Sequence, residues 1–455
     1  MQTPFLWSLS VLLLISALAH AAASKPNIIV IFTDDQTYRG IGYHNPEVKT
    51  PHLDALAAGG MTFERSYVAT PICAANRASM MTGRFPQQHG LIALNTKAFT
   101  PYLTGAPAAN QTLPARLTAA GYLAAFFGKS HLGEPKAYGF DVGQALDDRA
   151  DRQTFEQATA FIKSQQHATK PFFLWLAPHQ PHVPLYPEPM WLDRYPPESI
   201  HLPPNFRAQP TAASVNNQGT PAQTLYRDSD YRQNLDRLSA GPPRDEATML
   251  AFMRAYYAVI SRLDAQVGYF ARVLRETGLL QNTIVFYLSD NGYHLGSHGL
   301  GNKITMHEES VRVPMFAFGA GITPGQKTRA LVSALDLYPT LLGLAGAAAT
   351  PQPVTGRSLL PLFKDPDAPH RETVFSECTG VGGKAGEGHR MARGDRRKLI
   401  LSDADEEFLF DQRDDPFELT NRIADPTLAA ITGQLRRELT AWMQSIGDRP
   451  YPARK

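Results

Sequence analysis

Four apolar segments of strand length are each followed directly by polar side chains, and this repeated arrangement constrains the fold more than any other feature. Stretches with the apolar spacing of helices separate the segments. Strands that alternate with helices form a mainly parallel sheet, and in open sheets of this type ligands bind just beyond the carboxyl ends of the strands. We therefore expect the four polar clusters to converge on one site. The four segments are Ile28–Phe32, Tyr122–Phe127, Phe172–Leu176 and Thr283–Leu288.

The polar clusters carry two complementary kinds of side chain. The first and last segments are followed by hard oxygen donors, which favour calcium or magnesium over softer metals. The second and third are followed by cationic and titratable groups. A divalent cation beside Lys and His suits an anionic substrate such as a sulfate or phosphate ester. The oxygen donors are Asp34, Asp35, Asp290 and Asn291, and the other groups are Lys129, His131, His179 and His182.

The remaining apolar periodicity predicts further elements around this sheet. A helix is predicted from Thr50, because Pro51 follows it in the first turn, and one more strand is predicted at Val313–Phe318. We therefore expect an α/β fold in which helices sandwich a large mixed, mainly parallel sheet. The longer predicted helices are Thr112–Ala120, Leu250–Thr277 and Ala334–Leu344.

Composition divides the chain into a main α/β catalytic domain, residues 24–349, and a smaller C-terminal α+β subdomain, residues 350–455. Within the main domain, residues 201–245 are polar and aperiodic, which predicts a surface insertion that either walls a substrate cleft or forms a passive loop. The subdomain is predicted to hold a small antiparallel sheet and a terminal helix. These elements are Thr373–Phe375, Lys398–Leu401, Phe408–Phe410 and Thr427–Ile446.

Residues 1–23 have the pattern of an export signal. An apolar run at Leu12–Ile15 is followed by small residues up to Ala23, although no Lys or Arg precedes the run. The alternative is an uncleaved anchor, but the run is shorter than the roughly 20 residues of a membrane span. We therefore expect a cleaved signal peptide and a periplasmic or secreted protein with no stable membrane association.

Charge and cysteine content exclude several classes of protein. Lys plus Arg number 44 and Asp plus Glu 42, a balance that excludes a strongly basic nucleic-acid-binding protein. The presence of only 2 cysteines excludes a disulfide scaffold and a Cys-based zinc module. A disulfide between Cys73 and Cys378 is an alternative for an exported chain.

Cys73 is predicted to lie at the start of a helix, because Pro71 and a run of small residues lead to Gly83. A helix N-terminus stabilises negative charge on a bound anion or a nucleophile. Arg77, four residues later, falls on the same face as Cys73. For this string alone, a small buried Cys beside a surface Arg is the simpler interpretation.

The same segment resembles the signature of the type I sulfatases of the alkaline-phosphatase superfamily. That signature is Cys, any residue, Pro or Ala, any residue, Arg, and it corresponds to Cys73–Arg77 with Ala75 at the third position. The resemblance continues in order to the C-terminus, and it is similar in detail to bacterial sulfatases of polysaccharides and glycosaminoglycans. The further matching motifs are Pro26–Asp35, Thr50–Asp54, Gly128–His131, Pro178–His182, Ser289–Gly292, Lys303 and Leu409–Leu419.

The resemblance implies an alkaline-phosphatase-like fold and a specific chemistry. A formylglycine-generating maturation enzyme would oxidise Cys73 to Cα-formylglycine, whose hydrate attacks sulfur. Calcium, with magnesium as the alternative, would be held by residue 73 and by the four oxygen donors Asp34, Asp35, Asp290 and Asn291.

The resemblance also implies roles for the neighbouring groups. Arg77 would orient the hydrated aldehyde, and Asp290 would take its proton during attack. His131 would remove the second proton, which expels sulfate. The groups that neutralise the sulfate charge would be Lys129, His182 and Lys303, of which His182 or Lys303 would protonate the leaving oxygen.

The residues that contact the rest of the substrate stay open. His179 either supports the site or touches substrate, and His294 and His298 either grip a sugar or shape their Gly-rich loop. Residues 307–312 predict a solvated or packing face. The preferred substrate is a sulfated carbohydrate, with choline sulfate and aryl sulfates as alternatives. Rival functions are a phosphonate monoester or phosphodiester hydrolase of the same superfamily and a catalytically silent carbohydrate-binding homologue.

Overall fold

A computed structural model describes residues 25–93, 111–146, 150–208, 245–300, 302–348, 354–379, 388–403 and 407–448. The predicted export segment and residues 209–244 of the predicted insertion lie outside these ranges. Within the ranges, no helix combines the length and the apolarity that a bilayer crossing requires.

A mixed, mainly parallel sheet of eight strands forms the larger layer of the structure. Its strands are β1 (Asn27–Thr33), β2 (Met61–Tyr67), β3 (Leu123–Gly128), β4 (Val142–Ala145), β5 (Phe172–Ala177), β6 (Thr283–Ser289), β7 (Met315–Gly319) and β8 (Gln326–Ser333). In space they run β4-β3-β5-β1-β6-β7-β2-β8. Strand β7 is antiparallel to both neighbours, and the other pairs are parallel. The four apolar segments singled out in the sequence are the adjacent strands β3, β5, β1 and β6, so their carboxyl ends lie at one edge.

Helices cover both faces of this sheet, which confirms the predicted sandwich. The helices are α1 (Pro51–Ala58), α2 (Cys73–Thr82), α3 (Pro86–His89), α4 (Leu113–Ala119), α5 (Asp151–Ser164), α6 (Pro189–Leu192), α7 (Glu246–Glu276), α8 (Glu308–Val311), α9 (Leu337–Leu344), α10 (Leu360–Lys364) and α11 (Ala429–Ile446). Short 3₁₀ turns lie at Pro135–Tyr138, Pro197–Ser199, Leu279–Asn282, Ala334–Asp336 and Pro426–Leu428.

The central strand β1 packs into two separate cores. Ile28, Val30 and Phe32 face the core that contains α2, α4 and α9. Ile29 and Ile31 face the core that contains α1, α5 and α7. A strand buried on both faces has a continuous apolar sequence, which is why β1 stands out in the chain.

The sequence analysis did not predict β2, β4, β8 or α5. Strand β2 carries Glu64 and Arg65, and the first half of β8 is polar and partly exposed. Strand β4 has only four residues, none of them buried. These strands lie toward the two edges of the sheet, where one-sided burial removes the continuous apolar run.

A second, antiparallel sheet of four strands lies in what we call the C-terminal region, residues 374–446. Its strands are β9 (Val374–Cys378), β10 (His389–Arg393), β11 (Arg397–Ser402) and β12 (Glu407–Asp411), in the order β12-β11-β10-β9. Helix α11 packs on this sheet through Leu439 and Trp442. Three of the strands and the helix were predicted. Strand β10 was not, because it is buried through ion pairs such as Arg390 with Asp448 (2.7 Å) and not through an apolar run.

Candidate active site

The acidic side chains of two neighbouring strands meet at the carboxyl edge of the large sheet. Strands β1 and β6 pair in register up to Thr33 and Ser289, so the residues that follow each strand are adjacent. The backbone N–H of Asp35 donates to Asp290 Oδ1 (3.2 Å), and Asn291 Nδ2 donates to Asp35 Oδ1 (2.6 Å). The predicted convergence of these two clusters is therefore present in the structure.

Cys73 and Arg77 reach the same place from β2, whose carboxyl end leads to the start of α2. The guanidinium of Arg77 donates from Nε and NH2 to Asp290 Oδ2 (3.0 and 2.8 Å) and from NH2 to Asp34 Oδ2 (3.1 Å). Its NH1 donates to the carbonyl oxygen of Lys129 (2.8 Å). Arg77 is buried and not at the surface, and it binds together the ends of β1, β3 and β6.

Two buried lysines complete the charge of the cluster. Lys129 Nζ lies 2.5 Å from Asp34 Oδ2. Lys303 Nζ contacts Asp35 Oδ1 and lies 3.3 Å from Cys73 Sγ. Three carboxylates thus face three cations around the Cys73 thiol. The carboxylates are those of Asp34, Asp35 and Asp290, and the cations are Arg77, Lys129 and Lys303.

Three buried oxygens of the cluster have no hydrogen-bond partner: Asp34 Oδ1, Asp35 Oδ2 and Asn291 Oδ1. Unpartnered buried acceptors are costly and call for a ligand. Ligand atoms of Asp34, Asp35, Cys73 and His182 also lie within 4.8 Å of one another. Oxygen donors of this kind fit a hard divalent cation. The residues present therefore fit the predicted cation site.

Burial and charge spread the pKa values of these groups apart. Burial raises the pKa of Asp35 to about 7, and it also raises the pKa of Asp290. For Asp34, burial alone would raise the pKa, but the charges of Lys129, His182, Arg77 and Lys303 together hold the pKa well below its usual value. Burial raises the pKa of the Cys73 thiol to about 12. The thiol is consequently protonated at neutral pH and is a poor nucleophile in this form.

His131 and His182 lie at the ends of β3 and β5 with different hydrogen bonding. His131 Nδ1 is buried without a partner, and burial, reinforced by the charge of Lys129, lowers its pKa well below 6.5. His182 Nδ1 contacts the carbonyl oxygen of Val183, which leaves Nε2 facing Asp35 Oδ2 at 3.6 Å. Each ring therefore presents one nitrogen that can exchange a proton.

Asp151, at the start of α5, holds the histidine loop and was missed by the sequence analysis. Its carboxylate accepts the backbone N–H groups of His179 (2.6 Å) and Gln180 (3.0 Å). Pro181 then forms an isolated bridge with Asp34. An Asp before an amphipathic stretch is a helix-start signal that could have identified α5, but its second role as a loop anchor leaves no mark in the sequence.

The structure places His294 and His298 inside the packing of their loop. His294 Nε2 lies 2.9 Å from Thr305 Oγ1. The ring of His298 stacks on His307 with centroids 4.0 Å apart, and its Nε2 lies 3.1 Å from Asn205 Nδ2. Both histidines are buried. This placement favours the interpretation that they shape the loop.

Of the two alternatives for residues 307–312, a solvated or a packing face, the structure favours packing, as part of a buried polar network. His307, Glu308 and Glu309 are all buried. Glu308 binds Lys398 of β11 (3.1 Å), and His307 binds Glu418 (2.9 Å). The sequence could not indicate this burial, because the charges that neutralise it belong to the C-terminal region.

Cys73 and Cys378 are both buried, and neither forms a disulfide. The alternative of a disulfide between them is therefore not present in the structure.

Comparisons with protein-family models and with individual proteins both match most of this chain. The family model described as Sulfatase matches residues 26–347, and the model described as N-sulphoglucosamine sulphohydrolase, C-terminal, matches residues 296–445. Ulvan-active sulfatase of Formosa agariphila is 27% identical over 93% of this chain and 82% of its own length. Arylsulfatase A of Bos taurus is 32% identical over 81% of this chain and 73% of its own length.

Solved structures agree with the fold. A protein solved in complex with its substrate D-glucosamine-2-N,6-O-disulfate superposes with a TM-score of 0.79 at 23% identity, covering 94% of this chain and 100% of that one. Phosphonate monoester hydrolase from Silicibacter pomeroyi superposes with a TM-score of 0.75 at 21% identity, covering 93% and 96%. At these identities the likeness concerns the fold alone.

Proposed function

The chain belongs to the sulfatase family and is a sulfuric ester hydrolase, and from that premise we propose that it removes sulfate from a sulfated carbohydrate, using a Cα-formylglycine made from Cys73 and a bound calcium ion. The observation that carries the proposal is the set of three unpartnered oxygens, on Asp34, Asp35 and Asn291, beside Cys73. The hard oxygen donors suit calcium or magnesium, and the preference for calcium rests on the sulfatase family and not on these residues.

The state of Cys73 supports its conversion to formylglycine. An unmodified thiol with a pKa near 12 cannot supply a thiolate at neutral pH. The aldehyde, once hydrated and next to the cation, supplies an acidified hydroxyl nucleophile at the start of α2. A formylglycine-generating maturation enzyme is therefore a required partner of this chain.

The charge balance of the site supports an anionic substrate. When all three carboxylates are ionised they cancel the three cations, so a divalent cation leaves an excess of two positive charges. A sulfate ester carries negative charge that compensates part of this excess. Lys129 and Lys303 would bind the sulfate oxygens once the metal competes for their present partners, Asp34 and Asp35.

Groups that lie close to Cys73 accept and donate the protons that the reaction moves. Arg77 holds Asp290 Oδ2, which orients this carboxylate as the acceptor of the nucleophile's proton. Lys303 Nζ donates a proton to the leaving alcohol oxygen, or His182 Nε2 does so when its ring is protonated, a form that burial and the charge of Lys129 disfavour by lowering the pKa of His182. His131, neutral because its pKa is lowered, accepts a proton at Nδ1 when sulfate is released.

The preference for a carbohydrate rests on relatives. The names of the Formosa relative, active on ulvan, and of an N-acetylglucosamine-6-O-sulfatase from Bacteroides thetaiotaomicron both describe action on sulfated sugars. The pattern of residues 1–23 supports action in the periplasm or outside the cell. We therefore place the substrate among extracellular sulfated glycans.

Two linked measurements test this function. A mass spectrum of the tryptic peptide Ser66–Arg77 from protein made in its native host should show an aldehyde at residue 73. The same protein should release sulfate from sulfated mono- and oligosaccharides, lose activity on chelation, and leave matched phosphate and phosphonate esters largely intact. An active protein with an intact thiol, or one that prefers the phosphonate, would overturn the proposal.

A further inference from the structure

We propose that Glu418, which belongs to the C-terminal region, is a positioning residue that sets the orientation of Lys303 in the active site. The inference rests on the proposed function in one respect, that Lys303 binds the sulfate group. It concerns a residue that contacts neither Cys73 nor the oxygen donors directly.

The Glu418 carboxylate is held by four donors, so its position is fixed. Oε2 accepts the ring N–H of His307 Nδ1 (2.9 Å) and the backbone N–H of Glu308 (3.1 Å). Oε1 accepts Lys398 Nζ (2.6 Å) and Gln412 Nε2 (2.6 Å). Glu418 is 1% exposed and has a positive φ of 54°. A non-glycine residue is kept in this conformation when its surroundings over-determine it.

The donors on the Oε2 side belong to the segment that carries Lys303. His307 and Glu308 lie four and five residues after Lys303 in the sequence. Thr305 Oγ1 accepts the backbone N–H of His307 (3.1 Å) and lies 2.9 Å from His294 Nε2. The segment of residues 302–310 is thereby bound through Thr305 to the loop that carries His294, and through His307 and Glu308 to Glu418.

The same segment packs against the metal-ligand loop. Gly292 donates its backbone N–H to the carbonyl oxygen of Ser310 (2.8 Å). A Cβ at Gly292 would lie 1.9 Å from the carbonyl oxygen of Glu309, so the two strands of chain touch only because residue 292 is glycine. Thr37 Oγ1, just after the first acidic pair, also donates to the backbone carbonyl oxygen of Glu309 (3.0 Å). These contacts fix the end of the segment against the loop of the oxygen donors, so Glu418 holds the rest of the segment, including Lys303, in position relative to that loop.

His298, His307 and Glu418 have ligand atoms close enough to hold a metal ion, but the charge argues against one. Lys398 is 0% exposed and lies between Glu418 Oε1 and Glu308 Oε1 (2.6 and 3.1 Å). A buried lysine already supplies the counter-charge that a cation would supply. The cluster is therefore a structural clamp in which the ammonium group of Lys398 takes the place of a metal ion.

The test compares Glu418→Gln with a matched control. Glu418→Gln keeps the shape of the side chain but puts an amide where one pair of donors points, so we expect kcat/KM to fall about 10- to 100-fold. In a Lys303→Ala background the same change should cost less than about threefold, because its effect is transmitted through Lys303. The control is Glu407→Gln, a buried carboxylate of the same region that binds Arg436, and it should leave kcat/KM within about twofold.

A second pair of variants keeps the test decisive if Glu418→Gln folds poorly. His307→Asn retains an N–H donor toward Glu418 and should keep most of the activity, whereas His307→Leu removes the donor and should reproduce the loss. The proposal is overturned if Glu418→Gln or His307→Leu matches the wild type, if the Glu418 and Lys303 effects simply multiply, or if Glu407→Gln loses as much.

Binding of inorganic sulfate separates this inference from the proposed function. The calcium-loaded wild type should bind sulfate in a calorimetric titration, and Glu418→Gln and Lys303→Ala should each weaken binding about 10-fold or more. If the wild type hydrolyses no sulfate ester but these losses appear, the function fails and the positioning role stands. If the wild type is active and both sulfate affinity and turnover survive Glu418→Gln, the positioning role fails and the function stands.

Discussion

Two buried clusters in this protein contain the same ingredients, carboxylates with histidine and lysine, but they differ in how completely their oxygens are used. In the first cluster Asp34 and Asp35 each keep one oxygen without a partner. In the second cluster both oxygens of Glu418 are occupied, by two donors each. Each cluster also contains a non-glycine residue with positive φ, Asp35 and Glu418. Backbone strain therefore does not distinguish a ligand site from a clamp. A single unpartnered oxygen does not either, because Glu309 Oε2 beside the second cluster also lacks a partner. The convergence of three unpartnered oxygens, on Asp34, Asp35 and Asn291, is what sets the first cluster apart.

The largest expected effect concerns Cys73, which only the first cluster contains. Cys73→Ser removes the thiol that a cysteine-specific maturation enzyme would oxidise to the aldehyde, so turnover of a sulfated sugar should fall by about 10⁴-fold or more. The control is Cys378→Ser, which changes the other buried cysteine, in β9, and should keep turnover within about threefold. Retention of a tenth of the wild-type rate by Cys73→Ser would contradict the role given to this residue.

The second prediction contrasts a histidine nitrogen that lacks a partner with one that has a partner. His131→Gln should lower kcat by about 10²- to 10⁴-fold, because it removes the base at Nδ1. His307→Asn keeps its donor to Glu418 and should change kcat by less than threefold.

The pH profile gives the sign of the His131 effect. Because the pKa of His131 is lowered in the folded protein, the ring stays neutral well below pH 6.5, and its protonation should reduce activity as the pH falls through that lowered value. A wild-type profile that loses activity already above pH 7 on its acidic side would contradict this assignment.

The third prediction separates the clusters by calcium-dependent stability. Calcium at about 100 times its dissociation constant should stabilise the wild type by about 2.7 kcal/mol. Asp35→Asn should abolish this stabilisation, because it removes a charged donor of the first cluster, and His307→Asn should retain it. Thermal unfolding with and without a chelator measures the difference. Equal losses in the two variants would show that both clusters bind the ion.

The smallest expected effect concerns a buried carboxylate that has an unpartnered oxygen but lies outside both clusters. Glu377 in β9 has an unpartnered Oε2 but no converging donors, and burial, with the charge of Asp448, raises its pKa to about 8. Its unfolded value is near 4.5, so the stabilising contribution of the proton is complete below pH 4.5 and is lost as the pH rises through 8.

Glu377→Gln mimics the protonated carboxyl and should therefore flatten this pH dependence. At pH 9 the variant should be more stable than the wild type by about 1–3 kcal/mol, and at pH 5 the two should be nearly equal. Denaturant unfolding at both pH values measures this. A variant that is less stable than the wild type at pH 9 would show that the charged form is stabilised by a partner.

The elements that the sequence predicted well are those whose burial is complete. Strands β1, β5 and β6 are buried along their whole length, so each is a continuous apolar run, and the polar residues that follow it are conspicuous. Parallel pairing then brings those residues together without further information. This is why Asp34, Asp290 and their neighbours could be located before the structure was known.

The parts that escaped prediction depend on partners far away in the chain. Glu418 meets His307 from 111 residues away, and nothing near either residue announces the other. The burial of residues 307–309 likewise follows from Lys398, whose sequence neighbourhood reads as an ordinary strand. The type of a charged residue indicates the chemistry it can perform. Whether the residue is solvated depends on the tertiary contacts that neutralise its charge.

The central position of β1 in the sheet has a consequence for the order in which the chain is made. Strand β1 is the first strand of the described residues to be synthesised, yet one of its two edges pairs with β6, which ends at Ser289. For most of synthesis that edge has no partner, and an unpaired apolar edge is prone to aggregation. Lys303, whose Nζ lies 3.3 Å from Cys73 Sγ, follows Cys73 by 230 residues in the sequence. Cys73, which is 3% exposed in the finished protein, is therefore accessible while the rest of the chain is still being made.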